Sequence, residues 1–577
     1  MSQLRGRWRA PAVGVVAACV FAFSWLLRFN DPSGSFAGLT DDHFFYLVRG
    51  WQILFGDLPV RDFVDHGAPL FYYVGAAVQV LFGRGTLSEL AFCTTALALG
   101  ASLTFWLCTK ASGSIWAGLA ACLVHIWLGP RFYNYPKVLV YVAAIALLWW
   151  FADRPGAKPR LWIAVATVIG FLFRHDHGLF VGLAAVVLML SLTALPWRER
   201  LRHAVLYGAL VAALVAPYLI FIQANEGLLP YLRQMSTWAE RDRAREPIVW
   251  PGLFDNPDGV SDEAREGAAV RRAIAVVRDN GEAWIYYFEI VLPFLALGVL
   301  TLSPDGFRPS WPRARAKLAM VAVLAIVLDA GFLRSPLEAR LADPSVPLVI
   351  LLAWLIVALP RLTLTGGALL PPPRRYRWPI RVAAGFSALA IAALLTTLMS
   401  ANLHRRFDQA GMTDRFGKMF ERVGSVSDQL RLDWNLESWL SRENRPDLIT
   451  LSMYVNACTA PTDRVLVQSY LPQVLALAQR AFAGGHADLR PLYFGADSQA
   501  LTLSRLRRQS VPILLLDSDD SLRQFFVAFP LLKAFVDERY QLTATHVFDG
   551  RFGISLFSRR DLQPVSTWQP LDWPCYR

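Results

Sequence analysis

Charge is scarce in this chain: Asp, Glu, Lys and Arg make up 18% of its 577 residues, against 55% hydrophobic ones. So small a charged fraction excludes an ordinary soluble protein and points to many membrane-spanning helices. Cysteine is also scarce. Four of the six (Cys19, Cys93, Cys108, Cys122) lie in apolar segments as packing residues. The other two, Cys458 and Cys575, lie in the polar C-terminal part and can pair if that part faces an oxidising compartment. No G-x-S-x-G elbow, HExxH helix or Cys-pair zinc spacing occurs, so hydrolase and zinc-protease readings have no support. No Gly-rich phosphate loop follows the first strand of the C-terminal part, which removes a nucleotide-binding signal.

The net charge of +12 does not imply nucleic acid. Its Lys and Arg sit in short clusters between apolar runs, as topology signals do. Arg5, Arg7 and Arg9 precede an apolar run from Ala10 to Leu27 that lacks an A-x-A-like site, which reads as an uncleaved first helix with a cytoplasmic N-terminus. Further candidate spans lie near 86–108, 113–130, 137–152, 160–173, 178–195, 203–223, 284–303, 318–333, 346–362 and 380–400, about eleven in all. If Pro69 to Phe82 is a partial or re-entrant segment, the basic links at Lys110, Arg154/Lys158/Arg160, Arg198/Arg200/Arg202, Arg308 to Lys317 and Arg374 to Arg377 all fall in the cytoplasm.

The expected fold is thus a multi-pass α-helical membrane protein. Residues 1–400 form the transmembrane part with outer loops 30–68 and 224–283, 401–432 a linker, and 433–577 a soluble α/β domain on the outer face. In that domain TDRVLVQSY and VPILLLDS read as buried strands, LPQVLALAQRA and SLRQFFVAFPLLKAFVDERY as helices, and ATHVFD and GISLFSRR as closing strands. A stripe of Val270, Ala273, Ile274 and Val277 reads as a surface helix within 224–283.

Chemistry concentrates in Thr40 to Tyr73. Read as a helix capped by Thr40, this stretch puts Phe44, Leu47, Val48, Trp51 and Leu54 on one face and Asp42, Tyr46 and Arg49 on the other, turned to water. Asp41 and Asp42 start that helix, where the dipole favours ionised carboxylates, and an ionised Asp can serve as a general base. Asp62, Asp65 and His66 follow. Arg131, Lys137, Arg174, Arg334 and Arg340 are basic residues on the side the positive-inside rule leaves poor in them, and they suit a phosphate. Tyr133, His175, Asp176 and His177 accompany them. His175-Asp176-His177 with His66 and Asp65 has metal-ligand character, but a hydrogen-bonded network without metal or cofactor is the expectation.

Two blocks, Thr40-Asp41-Asp42-His43 and Arg61-Asp62-Phe63-Val64-Asp65-His66-Gly67-Ala68-Pro69-Leu70, together with the membrane pattern over roughly 1–400, resemble the C-type membrane glycosyltransferases. The resemblance is to bacterial proteins of the family 39 kind, relatives of protein O-mannosyltransferases and lipid A aminoarabinose transferase. It implies inverting transfer of a sugar from a polyprenyl-phosphate donor to a glycan, lipid or protein acceptor at the outer face of the plasma (inner) membrane of a bacterium. It also implies that the first acidic residue, Asp41, acts on the acceptor, whereas the helical wheel favours Asp42. Tyr46, Arg61, Asp62, Asp65 and His66, with the basic and aromatic residues named above, are then expected to bind substrate. A transporter or flippase of polyprenyl-linked glycan, or a non-catalytic envelope scaffold, are the rival readings. A transporter would carry more polar residues deep in its helices than the isolated Asp329, and an internal repeat.

Overall fold

A computed structural model describes residues 2–30, 41–244, 250–253, 280–302, 311–333, 340–364, 407–408, 410–412, 416–430, 446–490, 499–548 and 552–577. Five of its helices are long and apolar enough to cross a membrane: Pro11–Phe29, Thr86–Ser112, Phe132–Asp153, Trp197–Asn225 and Ala283–Thr301. Shorter apolar helices are Pro69–Phe82, Ile115–Leu128, His175–Ser191 and Ser345–Leu359. Helices Ala157–Phe173 and Trp311–Leu333 occupy two more of the expected spans. The 380–400 span, the 270–277 stripe, the Thr40 cap and Arg334 lie outside the described residues.

The chain forms two compact units that do not follow chain order. One comprises 1–31, 93–217 and 246–425; the other comprises 32–92, 218–245 and 426–577.

In the first unit the N-terminal helix packs Val20 against Ala101, Phe105, Cys122 and Ile126. Ser102 Oγ reaches the Ala17 carbonyl at 2.9 Å. Helices Tyr135–Asp153, Ala157–Phe173 and His175–Ser191 pack on one another, and Trp311–Leu333 joins them. Polar side chains here satisfy one another inside apolar surroundings, as Thr167 does with the Tyr207 hydroxyl at 2.6 Å.

In the second unit, helix Asp41–Leu54 packs on helix Pro69–Phe82. Gly50 makes that closeness possible: a Cβ there would lie 3.2 Å from both the Ala76 nitrogen and the Tyr72 carbonyl oxygen. Pro69 starts its helix, where a missing N–H costs nothing. The C-terminal part builds a mixed five-stranded sheet in the order β2-β1-β3-β5-β4, with β1 (Arg464–Val467), β2 (Ala481–Phe482), β3 (Ile513–Asp517), β4 (Tyr540–Phe548) and β5 (Phe552–Arg559). The β1–β2 and β1–β3 pairs are parallel, and β3–β5 and β5–β4 antiparallel. β3 is a continuous apolar run, as a central strand covered on both faces requires.

These strands fall where the apolar runs place them, with one refinement. The stretch 521–540 is broken into helices Asp519–Ala528 and Pro530–Arg539, because Pro530 cannot continue the first. A Cys458–Cys575 disulfide, bridging positions 117 apart, fastens the C-terminus to helix Pro446–Cys458. The Tyr454 hydroxyl adds a 2.7 Å bond to the Pro574 carbonyl.

The structure corrects the wheel reading of Asp41–Leu54. Of the expected apolar face, Phe44, Leu47, Val48 and Trp51 are buried within the protein and Leu54 is half-buried, and Arg49, Gln52 and His43 are buried as well. The helix is enclosed on more than one face, with helix Pro472–Ala478 and strand β2 packed against it as well as Pro69–Phe82.

Candidate functional site

The Asp41-Asp42 pair is held by the C-terminal part of its own unit. The Tyr470 hydroxyl donates to Asp42 Oδ1 at 2.7 Å, and Gln473 Nε2 donates to Asp41 Oδ1. Both donors come from the β1-to-helix connection and the helix Pro472–Ala478 that follows it. Pro472 gives that helix its first turn without wasting an N–H. The Arg490 guanidinium lies 4.2 Å from the Tyr470 ring centroid and bonds Asp488 at 2.8 Å. Burial, and then the neighbouring Asp42 charge, push the Tyr470 phenol well above its ordinary range, so it donates rather than ionises. Both carboxylates remain partly exposed. Two fixed, accessible carboxylates can each accept a proton from a hydroxyl or amine brought beside them.

The second block is largely architectural. Asp65 is buried, and it accepts from the Ala68 N–H at 3.0 Å and from the hydroxyls of Tyr218 and Tyr231 at 2.7 and 3.0 Å. It therefore ties residues 218–231 to the loop. Burial, reinforced by Asp65, raises the Tyr231 phenol, which keeps it a donor. Asp62 accepts from its neighbour Arg61, at 2.8 Å from Nε, and from the Leu58 N–H at 2.9 Å. His66 lies between Phe45 and Trp238, with ring centroids at 5.2 and 5.7 Å. Burial first, and then Arg49, hold its imidazole well below its usual pKa, so it is neutral. Tyr46 meets Phe71 in a tilted contact with ring centroids 4.4 Å apart.

Three side chains of this unit carry a link that the sequence reading did not contain. Gln52 uses its amide as a strand would use its backbone: Oε1 accepts from the Phe482 N–H and Nε2 donates to the Phe482 carbonyl, both at 3.1 Å. Its Nε2 also donates to Asp57 at 2.6 Å, and Arg464 grips Asp57 through two bonds of 2.6 and 2.9 Å.

The first unit contains the other expected group. Lys137 Nζ donates to Asp343 Oδ2 at 2.5 Å, and Asn134 Nδ2 to Asp343 Oδ1 at 3.1 Å. Arg174 forks onto Asp176, with Nε at 2.7 Å from Oδ1. His177 Nδ1 lies 3.3 Å from Asp176 and 2.7 Å from the Tyr141 hydroxyl. Arg131 donates to the Tyr133 hydroxyl at 3.3 Å, and His175 stacks on Phe171 with centroids 4.3 Å apart. The Arg340 carbonyl accepts from the Asp343 N–H at 2.9 Å and closes the turn that presents that carboxylate. Asp343, which the sequence reading did not single out, is thus the partner of Lys137.

His66 and Asp65 belong to one unit and His175, Asp176 and His177 to the other. Asp65, His66, Asp176 and His177 have hydrogen-bond partners within their own units, and His175 stacks on Phe171. Neither a protein-family model nor a curated protein sequence matches this chain.

Proposed function

We propose that the chain is a membrane glycosyltransferase. It moves a sugar from a polyprenyl-phosphate carrier to an acceptor at the outer face of the plasma (inner) membrane, inverting the anomeric carbon. The observation that carries this reading is the adjacent pair Asp41 and Asp42 at a helix start, each held by a donor from the C-terminal part. With the Arg-Asp-Phe-x-Asp-His-x-x-Pro-Leu block beside it, this pair supports the resemblance to C-type enzymes of the family 39 kind.

The chemistry needs no covalent enzyme intermediate. One Asp takes the proton of the acceptor hydroxyl or amine, and the acceptor atom attacks the anomeric carbon. The bond to the phosphate oxygen breaks, and its electron pair leaves on the phosphate. Asp41 is the base we favour, from the family motif, with Asp42 oriented beside it by Tyr470. Arg131, Lys137 and Arg174 belong to the other unit, where Lys137 and Arg174 are engaged by Asp343 and Asp176.

The remaining spans complete about eleven crossings in this reading, with Pro69–Phe82 as the short segment that does not fully cross. The outer placement of the C-terminal domain is supported by the Cys458–Cys575 disulfide, a bond that persists in oxidising compartments.

The test is transfer by the purified protein from labelled polyprenyl-phosphate sugars to candidate acceptors, with Asp41→Asn and Asp42→Asn in parallel. Loss of a general base costs about 10²–10⁴-fold in rate. Transfer at the wild-type rate by both variants sinks the proposed base. Transbilayer movement of lipid-linked glycan without transfer favours a transporter.

A further inference from the structure

Arg49 is buried, at 1% exposure, and it makes no ion pair among the described residues. Its Nη1 donates to the Phe45 carbonyl at 2.8 Å, an oxygen on its own helix one turn back. Nη2 lies 3.4 Å from His66 Nε2, the Phe45 ring centroid lies 3.3 Å from Cζ, and Nε has no hydrogen-bond partner. A carbonyl, a neutral imidazole and an aromatic face do not balance a guanidinium taken out of water. Of the other buried arginines, Arg480 is wrapped by the Asn456, Thr459 and Ala478 carbonyls at a helix end, while Arg505, like Arg49, bonds only carbonyls, those of Val60 and Arg61, among the described residues.

The position of Arg49 gives its uncompensated charge a use. It lies seven residues after Asp42 on one helix, so the two share a face and are separated by about 10 Å along the axis. Phe45 stands between them and also meets Tyr470, the donor to Asp42, with centroids 5.7 Å apart. A carboxylate and a guanidinium at that spacing bracket one sugar ring with an anionic group at its far end.

We propose that Arg49 is the anion site of this helix and takes the phosphate of a phosphate ester. Phe45 covers the flat face of the guanidinium, so the phosphate meets its edge, where Nε and Nη donate in parallel. His66, half-buried beside Nη2, is the side chain that turns aside to admit it. The identity of the ester as a sugar donor rests on the glycosyl-transfer reading; the anion site itself does not.

The experiment uses the full-length protein in nanodiscs. Thermal stability is followed while polyprenyl phosphate, inorganic phosphate or phosphatidylglycerol is added to wild type, Arg49→Met and Arg49→Lys. Without ligand, Arg49→Met is expected to be at least as stable as wild type, because it removes an unpaired buried charge. Polyprenyl phosphate is expected to stabilise wild type, to bind Arg49→Met at least tenfold more weakly, and to bind Arg49→Lys with intermediate affinity. Competition by inorganic phosphate identifies recognition of the bare anion. Stabilisation by polyprenyl phosphate alone identifies the carrier headgroup, and an equal response to phosphatidylglycerol a general lipid phosphate. Equal stabilisation of all three proteins by polyprenyl phosphate, or none of wild type, overturns the site. If Arg49→Met does not fold, an Arg49→Lys affinity equal to wild type does the same. Arg49-dependent phosphate binding without sugar transfer leaves the anion site standing and sinks the transferase.

Discussion

Gln52→Met is the sharpest probe of how the first-loop helix is locked to the C-terminal sheet. Gln52 is fully buried, and its amide supplies the outward-facing pairing of Phe482 at the edge strand β2. Met has similar length but neither donor nor acceptor. The substitution leaves the Phe482 N–H and C=O without their partner, at about 1–3 kcal/mol each, and removes a hydrogen bond to Asp57 worth about 1.5–3 kcal/mol. Two features reduce the sum: Asp57 keeps its two bonds from Arg464, and Arg464 Nη1 also lies 3.5 Å from the Phe482 carbonyl. The expected cost is therefore about 3–5 kcal/mol. Thermal unfolding of the purified protein measures it, and amide exchange at Phe482 reports the opened edge directly. Gln52→Glu keeps the acceptor for the Phe482 N–H but loses both donated bonds and faces Asp57, so it is expected to be no better than Met at neutral pH. A Gln52→Met loss below about 0.5 kcal/mol, the range of ordinary surface changes, with unchanged protection at Phe482, would refute the reasoning.

Two other consequences concern the C-terminal part. Cys458→Ser or Cys575→Ser opens a loop of 117 positions and is expected to cost about 2–5 kcal/mol; reductant should lower the wild-type melting temperature and leave the variants unchanged. His486 donates to or accepts from Thr502 Oγ1 at 2.9 Å, and burial, then Arg505 and Arg49, lower its pKa to about 3 from the usual 6.5. Its contribution is fully present above about pH 6.5 and is lost as pH falls toward 3, because the unfolded chain binds the proton first. His486→Gln should flatten this part of the stability–pH curve, by about 5 kcal/mol at most.

Much of the architecture could be read from local pattern. The runs at 462–470 and 511–518 contain strands β1 and β3, and the stripe Phe44, Leu47, Val48 and Trp51 is buried. Period and run length record which side of an element avoids water, and burial enforces that locally. Strand β2 escaped notice because two residues carry no period. The assignment of Arg49 to water failed for a different reason. A helical wheel assumes one buried face, and this helix has neighbours on more than one, supplied by residues some 430 positions later. Asp65 shows the same limit. In sequence it reads as chemistry beside His66, whereas two tyrosine hydroxyls more than 150 positions away occupy its carboxylate.

The amino-acid sequence by itself determined the apolar runs, five of which form helices long and apolar enough to cross a membrane. It also determined the acidic stretch in which Asp41, Asp42, Arg61, Asp62, Asp65 and His66 are gathered. Tertiary structure alone decided which of these acids are engaged and by whom. Tyr470 and Gln473 reach Asp42 and Asp41 across 428 and 432 positions, Asp343 reaches Lys137 across 206, and Arg49 is enclosed without an ion pair among the described residues. The physical reason is that a hydrogen bond or ion pair depends on atoms meeting within about 3 Å. Chain closure sets that distance, and no spacing along the chain encodes it.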